Sequence, residues 1–189
     1  MPELPEVETV KSGLEAAILG RRLTEVELRR PDLRWPIPSE LPDRARGTKV
    51  VQVRRRSKYL IINLEPVESL ILHLGMSGRI RIDKIDISGA VLPASQSEKH
   101  DHVVFKFSGG VEVRFNDARR FGMLDIAKTV DVDDHPLLRH IGPAPLGNSF
   151  NASYLGDRLQ SSRTPIKAAL LDQRIVAGLG NIYVNEALW

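Results

Sequence analysis

Pro2 and Glu3 are the residues whose types and positions best suit them to covalent chemistry. Aminopeptidases remove an initiator methionine when the next residue is small, so the mature chain is expected to start at Pro2. Its α-nitrogen is then a free secondary amine. A terminal α-amine has a pKa of about 8, so a useful fraction is unprotonated near neutral pH. Such an amine attacks an aldehyde-like carbon by the logic of a Schiff-base lysine. Glu3 sets a carboxyl group beside it, able to carry a proton. Many chains begin Met-Pro without any catalytic role, so the pair needs support from elsewhere in the chain.

Four further segments carry residue types that could do chemistry or grip a ligand. Arg54-Arg55-Arg56-Ser57-Lys58-Tyr59 runs on or between two strands. It reads either as a charged edge that resists aggregation or as a phosphate-binding ridge, with Lys58 its most distinctive member. His73-Leu74-Gly75-Met76-Ser77-Gly78 joins two strands, and its glycines permit positive φ. Met76 at that tip either folds back on the core or stands out as an apolar probe for a base stack. Asn116-Asp117-Ala118-Arg119-Arg120-Phe121-Gly122 is a second tip, offering guanidinium and aromatic groups that can fill or wedge a duplex. Gly178-Leu179-Gly180-Asn181 precedes a helix, whose free N–H groups suit a phosphate oxygen; a plain corner between helices explains it as well. His100-Asp101-His102 puts two imidazoles on one strand face, too few for a metal, so a structural role at the strand entry is the better reading.

These residues need elements to hold them. Val7, Val10, Leu14 and Ile18 recur at helical spacing, and Gly20 stops the pattern. A helix from residue 4 to about 19 therefore fixes the N-terminus. Strands are expected over Thr24–Arg30, Lys49–Arg55, Tyr59–Leu64, Ser69–His73, Arg79–Ile82, Val103–Phe107 and Val111–Phe115. Ser108-Gly109-Gly110 is a hairpin turn between the last two. Residues 88–99, around Gln96, read as a loop. Many short strands with regular turns suggest a sandwich or barrel. Gly142-Pro143-Ala144-Pro145 reads as a stiff connector. Beyond it, Thr164-Pro165 is expected to cap a helix running to Ala177, with Ile166, Ala169, Leu170 and Ile175 on one face and Gly178 ending it. Asn181 is expected to cap a second helix.

The 189 residues suffice for one ordinary domain or two small ones, and at 42% hydrophobic and 27% charged the composition is globular. The net charge is only +3, but the basic residues cluster at Arg29, Arg30, Arg34 and Arg54–Lys58, and clustering matters more than the sum for a phosphate backbone. There is no cysteine, which excludes a disulfide or a Cys-ligated metal within the chain. No apolar run reaches membrane-spanning length and no signal peptide precedes the acidic start, so a cytoplasmic protein is expected.

Taken in order, the motifs resemble the formamidopyrimidine-DNA glycosylase family over nearly the entire chain. They are Met1-Pro2-Glu3-Leu4-Pro5-Glu6-Val7-Glu8-Thr9, Arg55-Arg56-Ser57-Lys58-Tyr59-Leu60, His73–Gly78, Lys99-His100-Asp101-His102, Asp117–Gly122, His140-Ile141-Gly142-Pro143-Ala144-Pro145-Leu146, Pro165-Ile166-Lys167 and Gly178–Tyr183. Leu4 favours the purine-directed branch over the related endonuclease VIII branch. The resemblance implies an α+β fold. Residues 1–130 would form a catalytic β-sandwich with flanking helices, 131–147 a linker, and 148–189 part of a helix–two-turn–helix domain. It implies a base-excision-repair glycosylase with lyase activity on abasic sites, removing oxidised purines such as 8-oxoguanine and formamidopyrimidines. Pro2 would be the nucleophile, Glu3 the proton donor that helps open the sugar, and Lys58 a phosphate ligand that assists proton transfer. Met76, Arg119 and Phe121 would fill the duplex after base extrusion, and His73, Lys167 and Asn181 would bind phosphates.

The partner implied is damaged double-stranded DNA, with no membrane and a monomeric protein. Family members continue through further helices, a base-covering loop and a Cys-ligated zinc finger. A C-terminally truncated member is therefore expected, holding no cofactor itself, while the full-length protein carries one zinc ion. Weak DNA binding and little activity are expected of these 189 residues alone. Two other readings stay open: an endonuclease VIII-like enzyme for oxidised pyrimidines, and a non-catalytic nucleic-acid-binding protein, against which Pro2, Glu3 and Lys58 argue.

Overall fold

The computed structural model describes residues 1–84, 99–160 and 162–189. The loop reading around Gln96 lies outside these residues, Lys99 apart. Helix α1 (Leu4–Ile18) starts where Pro5 pre-sets the first turn, and it buries Val7, Leu14 and Ile18 on one face. It stops before Gly20, whose φ of 77° only glycine adopts freely. Strand β1 (Leu23–Leu28) follows, then a short helix α2 (Leu41–Ala45) and strands β2 (Lys49–Arg56), β3 (Tyr59–Glu65), β4 (Glu68–His73), β5 (Arg79–Lys84), β6 (Asp101–Phe107), β7 (Val111–Asn116) and β8 (Met123–Lys128). Helices α3 (Ala152–Leu159), α4 (Ile166–Leu171) and α5 (Asn181–Leu188) complete the chain.

The strands form two four-stranded antiparallel sheets, ordered β1-β6-β7-β5 and β2-β3-β4-β8. An α+β sandwich is the result. Alternate residues explain its core. Leu60, Ile62 and Leu64 of β3, with Leu70 and Leu72 of β4, pack inward against Val103 and Phe105 of β6 and Phe115 of β7. The intervening Ile61 and Ile71 face the other way, where Val132 and Leu138 cover them. Both faces of β3 and β4 are therefore dry, which is why their sequences run apolar without alternation.

Four readings of the chain change in the structure. Strand β8, α2 and α3 carry no clear periodic signal in the sequence: Asp125 breaks the strand pattern, and the helices span only 5 and 8 residues, too short for a clear period. The segment read as a helix to Ala177 stops at Leu171. There the Asp172 carboxylate takes the Arg174 N–H at 2.9 Å, while its carbonyl accepts from Ile175 and Val176. A side chain that bonds its own backbone competes with helix continuation. Pro165, not Thr164, caps α4, and Gly180, not Asn181, caps α5, leaving Asn181 as the first helical residue.

Candidate active site and nucleic-acid interface

Glu3 ties the two ends of the chain together. It is 2% exposed, and its carboxylate accepts the N–H groups of Gly180 (2.7 Å), Ile182 (2.8 Å) and Tyr183 (3.2 Å). The side chain from the start of α1 thus caps α5, 177 residues away, where orphan N–H groups and the helix dipole favour an anion. The Leu4 N–H bonds the Gly178 carbonyl at 3.0 Å, and the Glu3 N–H donates to Glu6 at 2.9 Å. Gly180 has to be glycine: a Cβ there would sit 2.5 Å from the Glu3 carboxyl carbon.

Lys58 sits in the two-residue turn between β2 and β3, after Ser57, whose φ of 55° lies in the left-handed region. Only 5% exposed, its ammonium has no hydrogen bond or ion pair among the described residues. Burial pushes Lys58 below the ordinary lysine value, and nearby Glu3 pulls it back toward the charged form. The neighbouring arginines, which read either as a charged edge or as a phosphate-binding ridge, are spent on the fold. Arg54 pairs with Asp133 at 3.2 Å, Arg55 with Glu8 at 2.6 Å, and Arg56 donates to the Ile141 carbonyl at 2.6 Å. Lys58 alone of this run remains free to meet a ligand.

His73 ends β4 beside Lys58. Its ring lies 4.7 Å from that of Tyr59, and its Nδ1 accepts the Gly75 N–H at 2.9 Å. In the neutral ring the hydrogen is then on Nε2, a donor suited to a phosphate oxygen. Burial, with the Lys58 and Arg34 charges, lowers the His73 pKa to about 4. Lys58, Tyr59 and His73 share a 190 Å³ cleft with Gln173 and Arg174.

On the other side of His73 a 630 Å³ cleft is lined by Met1, Arg34, His73, Met76, Arg119 and Phe121. Met1 brings the N-terminus to this cleft; while it is present, Pro2 nitrogen is an amide and not an amine. Met76 stands 46% exposed at its tip instead of folding back on the core. Phe121 is 39% exposed, with the Arg119 guanidinium 4.7 Å above its ring. Fully buried Asp117 organises both tips. Its carboxylate accepts from Ser77 Oγ at 2.5 Å, from the Gly122 N–H at 2.7 Å and from the Arg119 N–H at 3.3 Å. His102 bonds the Asp117 carbonyl at 2.8 Å, so the His100–His102 segment supports the second tip.

The fold thus gathers the N-terminus, Glu3, Lys58, His73, Met76, Arg119 and Phe121. Asn181 adjoins them as the exposed first residue of the helix Glu3 caps. Lys167 stands apart, exposed on α4 and lining neither cleft. Sequence reasoning missed three contributors. Asp117 lay within a quoted motif without a role. Arg34 was noted only for its charge. Gln173 had no signal at all.

This arrangement has close counterparts. Residues 1–124 match the formamidopyrimidine-DNA glycosylase N-terminal domain, and residues 141–189 match the formamidopyrimidine-DNA glycosylase H2TH domain. A formamidopyrimidine-DNA glycosylase of Dinoroseobacter shibae is 55% identical over 190 residues, covering 100% of this chain and 67% of the relative. The chain thus spans about two thirds of that relative's length. Two solved complexes of Lactococcus lactis Fpg, each 36% identical, superpose closely. The one with DNA containing N7-benzyl-Fapy-dG has a TM-score of 0.88 and covers 100% of this chain and 66% of that one. The one with DNA containing an abasic site has a TM-score of 0.86 and covers 99% and 66%. Two domain matches in order, and a relative sharing more than half its residues along the entire chain, lead to one conclusion: the chain belongs to the formamidopyrimidine-DNA glycosylase family.

Proposed function

We propose that this chain carries the catalytic unit of a DNA glycosylase that excises oxidised purines, 8-oxoguanine and formamidopyrimidines among them, and then cleaves the abasic site. One observation supports this above the others: the N-terminus, His73 and the exposed Met76, Arg119 and Phe121 border one cleft, with Lys58 adjoining through His73.

A base in a duplex buries its glycosidic carbon, so the nucleotide must first leave the stack. Met76, Arg119 and Phe121 would occupy the gap, offsetting unstacking of a few kcal/mol. The Pro2 amine, freed of Met1, attacks the sugar C1′ and the base departs. Glu3, next in the chain, handles the proton that opens the sugar ring. The resulting iminium acidifies the C2′ hydrogen, and elimination breaks the 3′ phosphate bond; a second elimination breaks the 5′ bond. Lys58, held in a dry pocket that eases loss of its proton, would relay protons in these eliminations and meet the phosphate together with His73 and Asn181. Lys167, exposed on α4, would add a backbone contact further along the strand.

The residues of this chain do not fit a Cys-ligated zinc, having no cysteine. In this reading a zinc finger belongs to the longer protein and adds grip on DNA. The 189 residues would bind damaged DNA as a monomer with reduced affinity. Solved complexes of the Lactococcus lactis protein hold DNA with N7-benzyl-Fapy-dG and DNA with an oxidised pyrimidine, so the preference for purines rests on Leu4 of the opening motif.

Borohydride trapping tests the chemistry. The full-length protein, processed to Pro2, should form a reducible adduct with abasic and 8-oxoguanine duplexes, mapping to Pro2 by mass. Retained Met1 or an N-terminal tag should abolish it, and Pro2→Gly should leave a weak primary amine. Undiminished trapping with a blocked terminus overturns the mechanism.

A further inference from the structure

The Lys58 ammonium makes no hydrogen bond among the described residues, so its place in the cleft depends on the turn that carries it. That turn is held by a residue distant in sequence. Gln173, in the turn between α4 and α5, accepts the Ser57 Oγ hydrogen at 2.9 Å and the Gly178 N–H at 2.8 Å on its one amide oxygen. Its amide nitrogen donates to the carbonyls of Leu171 (3.1 Å) and Leu179 (2.9 Å). Both lone pairs and both hydrogens of the amide are therefore used. Its backbone carbonyl also takes the Gly142 N–H at 2.8 Å. One side chain thus joins the turn bearing Lys58 to the turn leading to Gly180 and Asn181, which Glu3 caps. The same side chain forms part of the wall of the 190 Å³ cleft shared by Lys58 and His73.

Ser57 has reason to need this tie. It is 3% exposed and in the left-handed region, a conformation costly for a residue with a Cβ unless its surroundings hold it. Its carbonyl is also held, by the Arg55 guanidinium at 2.9 Å.

We infer that Gln173 is a positioning residue for the strand-cleavage half of the reaction, setting Lys58 against the start of α5 through Ser57. The inference rests on the reading of Lys58 proposed above. Its chemical consequence is selective. Formation of the iminium uses the Pro2 amine, whereas proton relay in elimination uses Lys58. Loosening the Ser57 turn should therefore slow elimination more than adduct formation, because displacement of about 1 Å can cost up to a hundredfold in rate.

The test compares Gln173→Met, which keeps length and loses every hydrogen bond of the side-chain amide, with Ser57→Gly, which suits the left-handed backbone and removes the hydroxymethyl group that meets Gln173. In the full-length protein on a preformed abasic duplex, single-turnover cleavage should fall about tenfold in each variant, with borohydride trapping changed less than about twofold. The double variant should be no worse than the worse single one, since both break the same link. A merely structural role would lower trapping and cleavage together. Equal loss of both overturns the inference, as do wild-type cleavage in Ser57→Gly or additive losses in the double variant. Should Gln173→Met fail to fold, Ser57→Gly alone decides by the same ratio. If the unaltered protein forms no trappable adduct, the parent reading fails and takes this inference with it.

Discussion

Single residues here are tuned by what surrounds them. His73 is the clearest case. Its pKa near 4 in the fold, against an ordinary value of 6.5, means that between those pH values the unfolded chain binds a proton which the native one refuses. Stability should therefore rise as pH increases from about 4 to 6.5 and level off above, by about 3 kcal/mol at most from this group. His73→Gln should remove that part of the slope, measured by urea unfolding at the two ends of the window. A slope that persists undiminished would assign it to other groups. Lys58 is affected in the same direction by the same cause, burial, and so meets its ligand from a dry site. The adjacent arginines teach the opposite lesson. Similar charge in the sequence became three internal ties, because each guanidinium found an acceptor within reach.

At the level of elements, the two tips that border the cleft act as one unit. Gly75 lies at φ 65°, and a Cβ on it would overlap the backbone of Phe121. Only glycine lets the Met76 turn approach the Arg119–Phe121 turn so closely. Asp117 then binds atoms of both turns in a site without water access. Gly75→Ala and Asp117→Ala should each cost about 2–4 kcal/mol, the first by overlap and strain, the second by orphaning buried donors. Base excision should suffer more than cleavage of a preformed abasic site, which needs less distortion of the duplex. Unfolding curves, together with excision and cleavage rates, check both parts. Equal loss on the two substrates would reduce the tips to a fold-holding role.

Over the whole molecule, the sandwich and the helical segment are joined through the N-terminus. The N–H groups of Gly180, which caps α5, and of Ile182 and Tyr183 within it end on the Glu3 carboxylate, and the Leu4 N–H bonds the Gly178 carbonyl. Glu3→Ala should remove about 2–4 kcal/mol from α5 by stranding those donors. Gly180→Ala should do the same by pushing the carboxylate away. Hydrogen exchange of α5 amides should then accelerate about a hundredfold in either variant while β3 and β4 amides stay protected. Unchanged exchange in α5 would show that the cap does not hold it, and uniform acceleration that α5 opens only together with the sandwich.

What the sequence determined by itself was periodic or chemically distinctive. The spacing of Val7, Leu14 and Ile18 specifies α1, and the Ser108–Gly110 turn specifies a hairpin, because neighbouring residues alone decide them. Ordered motifs pointed to Pro2, Glu3, Lys58, His73 and the two tips. What only tertiary structure decided were relations between residues far apart in the chain. Whether Arg55 is a free cation depends on Glu8, 47 residues away. Glu3 caps a helix that starts at Asn181, and Gln173 holds a turn at Ser57, separations of 177 to 180 and 116 residues. A hydrogen bond needs its partner within about 3 Å, and only the folded chain brings such partners together.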